Sequence, residues 1–189
     1  TEIMILAAVE EAAAAALLEK ATAFLVEYAK AIRATGVNGI LIAEPAAGLL
    51  SPDMCQRVAA DYLKRIVDAV QGDDFPVVIH NCGNAAGRQI KELLSTGCAA
   101  LHLGNAVSLP ELLPQMPPEV PLMGNIDPVG VLKDGSPEEV YAKTSELLRA
   151  TAPWPNFVLS SGCDVPPGVK MENIRAFFRA LEDYNQSVK

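Results

Sequence analysis

The sequence predicts a parallel α/β fold, and three observations predict it. Short apolar runs alternate five times with helical segments, the runs are almost continuously apolar, and all but the first, which ends in Glu44-Pro45, run into a cluster of Gly, Asn, Asp, His or Cys. Strands that read as unbroken apolar runs are covered on both faces, and alternation with helices makes their sheet parallel. Five such units fit a complete five-stranded doubly wound sheet or part of an eight-stranded barrel, which needs about 250 residues when whole.

Residues Ile5–Thr35 read as one long helix rich in Ala, Leu, Glu and Lys, ended by Gly36. The strands follow at Gly39–Ala43, Val77–His80, Ala99–Leu103, Pro121–Met123 and Phe157–Ser160. Their helices are Pro52–Gln71, Ala86–Ser95, Leu109–Gln115, Pro137–Thr151 and Met171–Tyr184. Ser51-Pro52 and Ser136-Pro137-Glu138-Glu139 are strong helix starts: a capping serine, proline at the first helical position, and acidic groups in the first turn. The Pro-rich stretch from Pro110 to Pro121 reads as a loop with a degenerate helix, so residues 1–189 are expected to form a single domain.

The chain of 189 residues carries 15 Lys and Arg against 23 Asp and Glu, a net charge of −8, and half its residues are hydrophobic. That balance supports a folded core and disfavours nucleic acid or an anionic membrane surface as partner. The most apolar stretch, Ala12–Leu18, falls far short of the ~18 residues of a membrane span. The beginning of the sequence lacks the layout of a secretory signal. Four cysteines are too few for a disulfide scaffold, which points to a reducing, cytoplasmic setting.

In both architectures ligands sit at the C-terminal ends of the strands. His80 and Cys82 stand two residues apart at such an end, so an imidazole and a thiolate project to one side. Cys163 holds the equivalent place after the last strand. His, Cys and Cys form a soft three-ligand set suited to zinc, with a fourth position open. The competing reading is a hydrogen-bonded core histidine with two small buried thiols. Glu44 ends its strand as a fourth ligand, a catalytic base or a turn residue. His102, Asn125 and Asp127 are candidates for substrate contact, against a structural histidine and an Asp-Pro turn. Asp164 is a candidate catalytic or ligand-orienting acceptor, or a loop cap. Asn81 and Asn84 flank the His80/Cys82 pair, with amides able to bond the thiolates. Cys55 and Cys98 read as ordinary thiols, and Tyr28, Tyr62 and Trp154 as packing residues.

Five segments in order, ILIAEPAAGLLSP (Ile40–Pro52), VVIHNCGN (Val77–Asn84), HLGNAV (His102–Val107), MGNIDP (Met123–Pro128) and LSSGCDVPP (Leu159–Pro167), resemble the uroporphyrinogen decarboxylase superfamily. The segment Glu172–Phe178 is similar to that family's closing helix. Within the superfamily the sequence most resembles the zinc-dependent corrinoid methyltransferases. The resemblance implies a partial (β/α)8 TIM barrel: five C-terminal βα units preceded by a long helix. It assigns zinc to His80, Cys82 and Cys163. It implies methyl transfer between a corrinoid carrier and a small thiol activated by the metal. The family's decarboxylases lack the His-x-Cys pair, so the pair favours methyl transfer over decarboxylation of a porphyrinogen. The D-x-H-x-x-G pattern that supplies the lower cobalt ligand is absent, which places the methylcorrinoid on a partner protein. Five strands cannot close a small barrel, so open edges are expected to promote homo-oligomers, with a catalytically inactive truncated barrel domain as the other outcome.

Overall fold

The computed structural model describes residues 2–188. Its five strands, β1 (Ile40–Ala43), β2 (Val77–Asn81), β3 (Ala100–Leu103), β4 (Leu122–Ile126) and β5 (Phe157–Ser161), form one sheet in sequential order. The pairs β1–β2 and β4–β5 are parallel. Each strand lies within a residue or two of its expected place except β4, which runs through Gly124 and Asn125 to Ile126. Those two residues carry turn propensity, but pairing with β5 from Leu122↔Phe157 to Ile126↔Ser161 overrides it. Among the described residues no helix is long and apolar enough to cross a membrane.

The chain divides into two compact units, residues 1–101 and 102–189. In the first, the expected long helix is two: α1 (Glu2–Val9) and α2 (Glu11–Ala34). Glu10 leaves the helical region at φ −133°, ψ 58°, with neither Gly nor Pro to mark the break. α2 packs along α4 (Asp61–Val70), which presents Leu63, Ile66, Val67 and Val70 at helical spacing to the core. The Pro52–Gln71 helix is also segmented. α3 (Pro52–Cys55), capped by Ser51, whose side chain accepts from the Met54 amide, runs into a π-helical turn at Gln56–Ala60 before α4. A 3₁₀ turn at Ala86–Arg88 precedes α5 (Ile90–Ser95). Tyr28 is not a packing residue: it is 56% exposed and stacks on Phe24, itself 68% exposed.

The β1–β2 register sets Ile40↔Val77 and Ala43↔His80. Residues opposite one another in a parallel ladder share a face. One face therefore carries Ile40, Ile42, Val77 and Ile79, of which Val77 and Ile79 are wholly buried. The other carries Leu41, Val78, Ala43 and His80. The small Ala43 stands opposite His80 at the C-terminal end of the strand.

In the second unit, α6 (Leu109–Leu112) and a 3₁₀ turn through Gln115 lead to β4. α7 (Pro137–Thr151) and α8 (Met171–Ser187) pack against each other. Ile126, Leu132, Val140 and Ala176 form a core that Leu159, Val169 and Phe177 complete. Fully buried Asn173 donates to the carbonyls of Leu132 and Gly135, both at 2.9 Å, and pins the loop before α7 to α8. The start of α7 follows the expected chemistry, with the Ser136 hydroxyl accepting from the Glu139 amide at 3.2 Å. Ser136→Ala is expected to cost about 1 kcal/mol, read from the urea midpoint. An unchanged midpoint would show that α7 is held by packing alone.

Candidate metal centre

The strand end at β2 is built by three consecutive side chains that alternate direction. His80 is buried and Cys82 half-buried, while Asn81 between them is fully buried on the opposite side. The Asn81 Oδ1 accepts from the Gly83 amide at 2.8 Å, and its Nδ2 donates to the Glu44 carbonyl at 3.0 Å. The amide thus serves the backbone and not a thiolate, contrary to the role sequence reasoning offered it. Asn84 is exposed.

Glu44 is joined to the same strand end by its main chain, its amide donating to the His80 carbonyl at 2.9 Å. Its side chain caps the next turn, Oε1 accepting from the Ala47 amide at 3.1 Å. It also borders an apolar cavity of about 180 Å³ lined by Met4, Leu18, Leu50 and Val58. Gly48 and Gly83 meet backbone to backbone. A Cβ on Gly48 would stand 2.5 Å from the Gly83 Cα, and one on Gly83 would stand 2.6 Å from the Gly48 carbonyl carbon. Only two glycines allow this approach. Gln89, wholly buried, secures the far side by donating to the carbonyls of Ala47 and Leu50, both at 2.8 Å.

In the second unit the corresponding strand end is tied down as closely. The Ser161 hydroxyl donates to the Cys163 carbonyl at 2.8 Å, and the Gly162 amide donates to the Ile126 carbonyl at 2.7 Å. A Cβ on Gly162 would meet the Asn105 amide nitrogen at 2.7 Å. His102 is buried, its Nε2 2.9 Å from the Ser161 carbonyl and 3.2 Å from the Ser160 hydroxyl. A carbonyl only accepts, so Nε2 carries a proton. Asn125 shares a face with Ser160 and donates to the carbonyls of Gly104 and Val107, at 2.9 and 2.8 Å, holding the loop after β3. Asp127 turns the chain: Oδ1 accepts from the amides of Val129 and Gly130, both at 2.9 Å. Asp164 is exposed beside half-buried Cys163.

One ligand atom each from His80, Cys82 and Cys163 lies within 4.8 Å of the other two. A tetrahedral zinc bonded at about 2.0–2.3 Å spreads its ligands roughly 3.3–3.8 Å apart, a spacing of the same order as this grouping. The donor set, one imidazole and two sulfurs, is chemically right for zinc and wrong for magnesium or calcium. The other two thiols stand apart in character. Burial, then Glu92 and Glu44, pushes Cys55 up to about 11, and burial raises Cys98. Both therefore stay protonated and inert at neutral pH.

The description of one family, uroporphyrinogen decarboxylase (URO-D), matches residues 1–184. The chain belongs to that family. Within the uroporphyrinogen decarboxylase family it is similar to the methylcobamide:CoM methyltransferase MtbA of Methanosarcina mazei, 30% identical over 172 residues, which is 89% of this chain and 49% of that relative. It is also similar to the uroporphyrinogen decarboxylase of a Synechococcus species, 32% identical over 148 residues, or 77% of this chain and 41% of that relative. Among solved structures, a methyltransferase from Methanosarcina mazei matches 87% of the chain and 48% of its own length, with a TM-score of 0.76 at 25% identity. The chain therefore spans about half the length of the relatives it matches. Its parallel sheet is the partial TIM-barrel arrangement that the URO-D resemblance implied.

Sequence reasoning proposed His80, Cys82 and Cys163 as one ligand group. It missed Asn81 as a turn-former and the Gly48–Gly83 contact. The Asn-x-Gly spacing at 81–83 was a usable signal for the first, since Asn side chains bond the backbone two residues on. Nothing local announces that Gly48 will meet Gly83.

Proposed function

We propose that this chain forms part of a zinc-dependent methyltransferase that moves a methyl group between a corrinoid, carried on a partner protein, and a small thiol. The observation that carries the reading is the convergence of His80, Cys82 and Cys163. The similarity to a methylcobamide:CoM methyltransferase supports the choice of donor and acceptor class. Overall, the thiol sulfur gains the methyl carbon, the thiol proton passes to solvent, and the corrinoid keeps the electron pair of the broken bond.

His80, Cys82 and Cys163 would hold the zinc. Zinc in such a set supplies Lewis acidity that favours the deprotonated form of a thiol at neutral pH. The rest of the work belongs to the chain. Burial of His80 restricts water around the donors, which strengthens their electrostatic influence. The Ser161–Cys163 and Gly162–Ile126 bonds fix the backbone that carries Cys163. His102 secures the same segment from the opposite side through the Ser161 carbonyl. A rigid donor set is what alignment of two reactants requires.

Decarboxylation of a porphyrinogen is the second reading, favoured by the similarity to the Synechococcus decarboxylase. The two separate cleanly in one experiment. The zinc-loaded protein is incubated with free methylcobalamin and a panel of small thiols, and demethylation is followed by its visible spectrum. Thiol-dependent demethylation that disappears in Cys82→Ser is the expected result. Release of carbon dioxide from uroporphyrinogen, with no demethylation for any thiol, would overturn the proposal in favour of the second reading.

A further inference from the structure

Asn81 occupies an unusual place. It sits between His80 and Cys82, is wholly shielded from solvent, and points away from both. Its two ends perform different tasks. Oδ1 closes a turn onto the Gly83 amide, so the loop it forms has Cys82 at its apex. Nδ2 anchors that loop to the carbonyl at the end of the neighbouring strand. Rotating the amide by a half-turn would oppose NH₂ to an N–H and oxygen to a carbonyl, so the hydrogen-bond network admits one orientation. The amide is also confined sterically, because a Cβ on Gly48 would collide with Oδ1.

We infer that Asn81 is the positioning residue for Cys82: its amide, held against the Gly48–Gly83 contact, sets where the Cys82 sulfur stands relative to His80. The inference deepens the zinc reading and rests on it for the purpose of the positioning, while the turn itself is a property of the chain alone. No other side chain type satisfies both ends. Aspartate keeps the acceptor and loses the donor, and alanine loses both. A donor and acceptor left without partners in this buried place would open the turn to water.

The test compares Asn81→Ala and Asn81→Asp with Thr96→Val, a loss of a buried hydroxyl in the same unit whose bonds go to the Leu93 carbonyl and the Cys98 amide. In reduced, chelator-treated protein, alkylation by iodoacetamide is mapped by mass spectrometry, with Cys163 as the internal reference. Opening of the turn exposes Cys82, so its rate relative to Cys163 is expected to rise roughly fivefold or more in Asn81→Ala. The ratio should stay at the wild-type value in Thr96→Val and move back toward it in Asn81→Asp. Cobalt(II) added to the same proteins supplies a spectroscopic arm, in which the sulfur-to-cobalt band of Asn81→Ala falls by about half, as one of two thiolates leaves. An alkylation ratio in Asn81→Ala within about twofold of wild type, or an equal rise in Thr96→Val, overturns the inference. Absence of the cobalt band from the wild type would instead strike the zinc reading, and the alkylation arm would still decide the role of Asn81.

Discussion

Gly83→Ala is expected to destabilise the first unit by about 3 kcal/mol or more, the upper end of overpacking penalties. The added methyl would lie 2.6 Å from the carbonyl carbon of Gly48 and closer still to its Cα. Both neighbours are backbone, so no side chain can swing aside. The loop at Gly48 is in turn held by Gln89 through Ala47 and Leu50, and the Gly48 carbonyl accepts from the Ala85 amide at 3.0 Å. Relief must therefore come from moving Gly83 itself, which drags the Asn81 turn and Cys82 with it. Urea denaturation measures the loss. A penalty below about 1 kcal/mol would show that the two loops separate easily and that their contact does not organise the strand end.

The second large effect concerns metal content. Wild-type protein dialysed under reducing conditions is expected to retain one zinc per chain, and Cys163→Ser to retain far less under a competing chelator. Loss of an outer partner alone costs about 10–100-fold in affinity, so loss of a ligand should exceed a hundredfold. His80→Ala is expected to behave likewise. Cys55→Ser should not, because that thiol is fully buried, pushed up to about 11, and so protonated at neutral pH. Equal zinc in wild type and Cys163→Ser, measured by elemental analysis, would remove Cys163 from the site. The decarboxylase reading would then gain ground.

Much of this architecture was legible because its signals are local. Five apolar runs each bounded by turn residues gave the strands, and Ser136-Pro137-Glu138-Glu139 gave the start of α7 to the residue. Where expectation and structure part, a distant partner decides. The expected strand stops at Met123, yet Gly124 and Asn125 join β4, because β5 lies alongside to pair with them. The helix break at Glu10 and the π-helical turn at Gln56–Ala60 have no marker residue. In the site, the two-residue period brought His80 and Cys82 to notice, and position after the last strand did so for Cys163. Asn81 was noticed but given the wrong partner. Its real acceptor is a carbonyl 37 positions earlier, which no spacing along the chain reveals. His102 shows the same limit, since its bond reaches the Ser161 carbonyl 59 positions on, whereas the bonds of Asp127 to the amides two and three residues on are the local turn the sequence offered for it.

The bond from Asn81 to residue 44 reaches a main-chain carbonyl and leaves the Glu44 side chain out of account. Every amino acid carries that carbonyl. Substitution at position 44 therefore changes the charge, size or acidity presented at the end of β1, and removes the cap on the Ala47 amide, while the bond from Asn81 persists. The two properties are separable in part: the Cys82 turn is anchored on backbone at residue 44, while the side chain there sets the charge at the end of β1 and the Ala47 cap. A lineage could explore new chemistry at that position without first rebuilding the thiolate beside it.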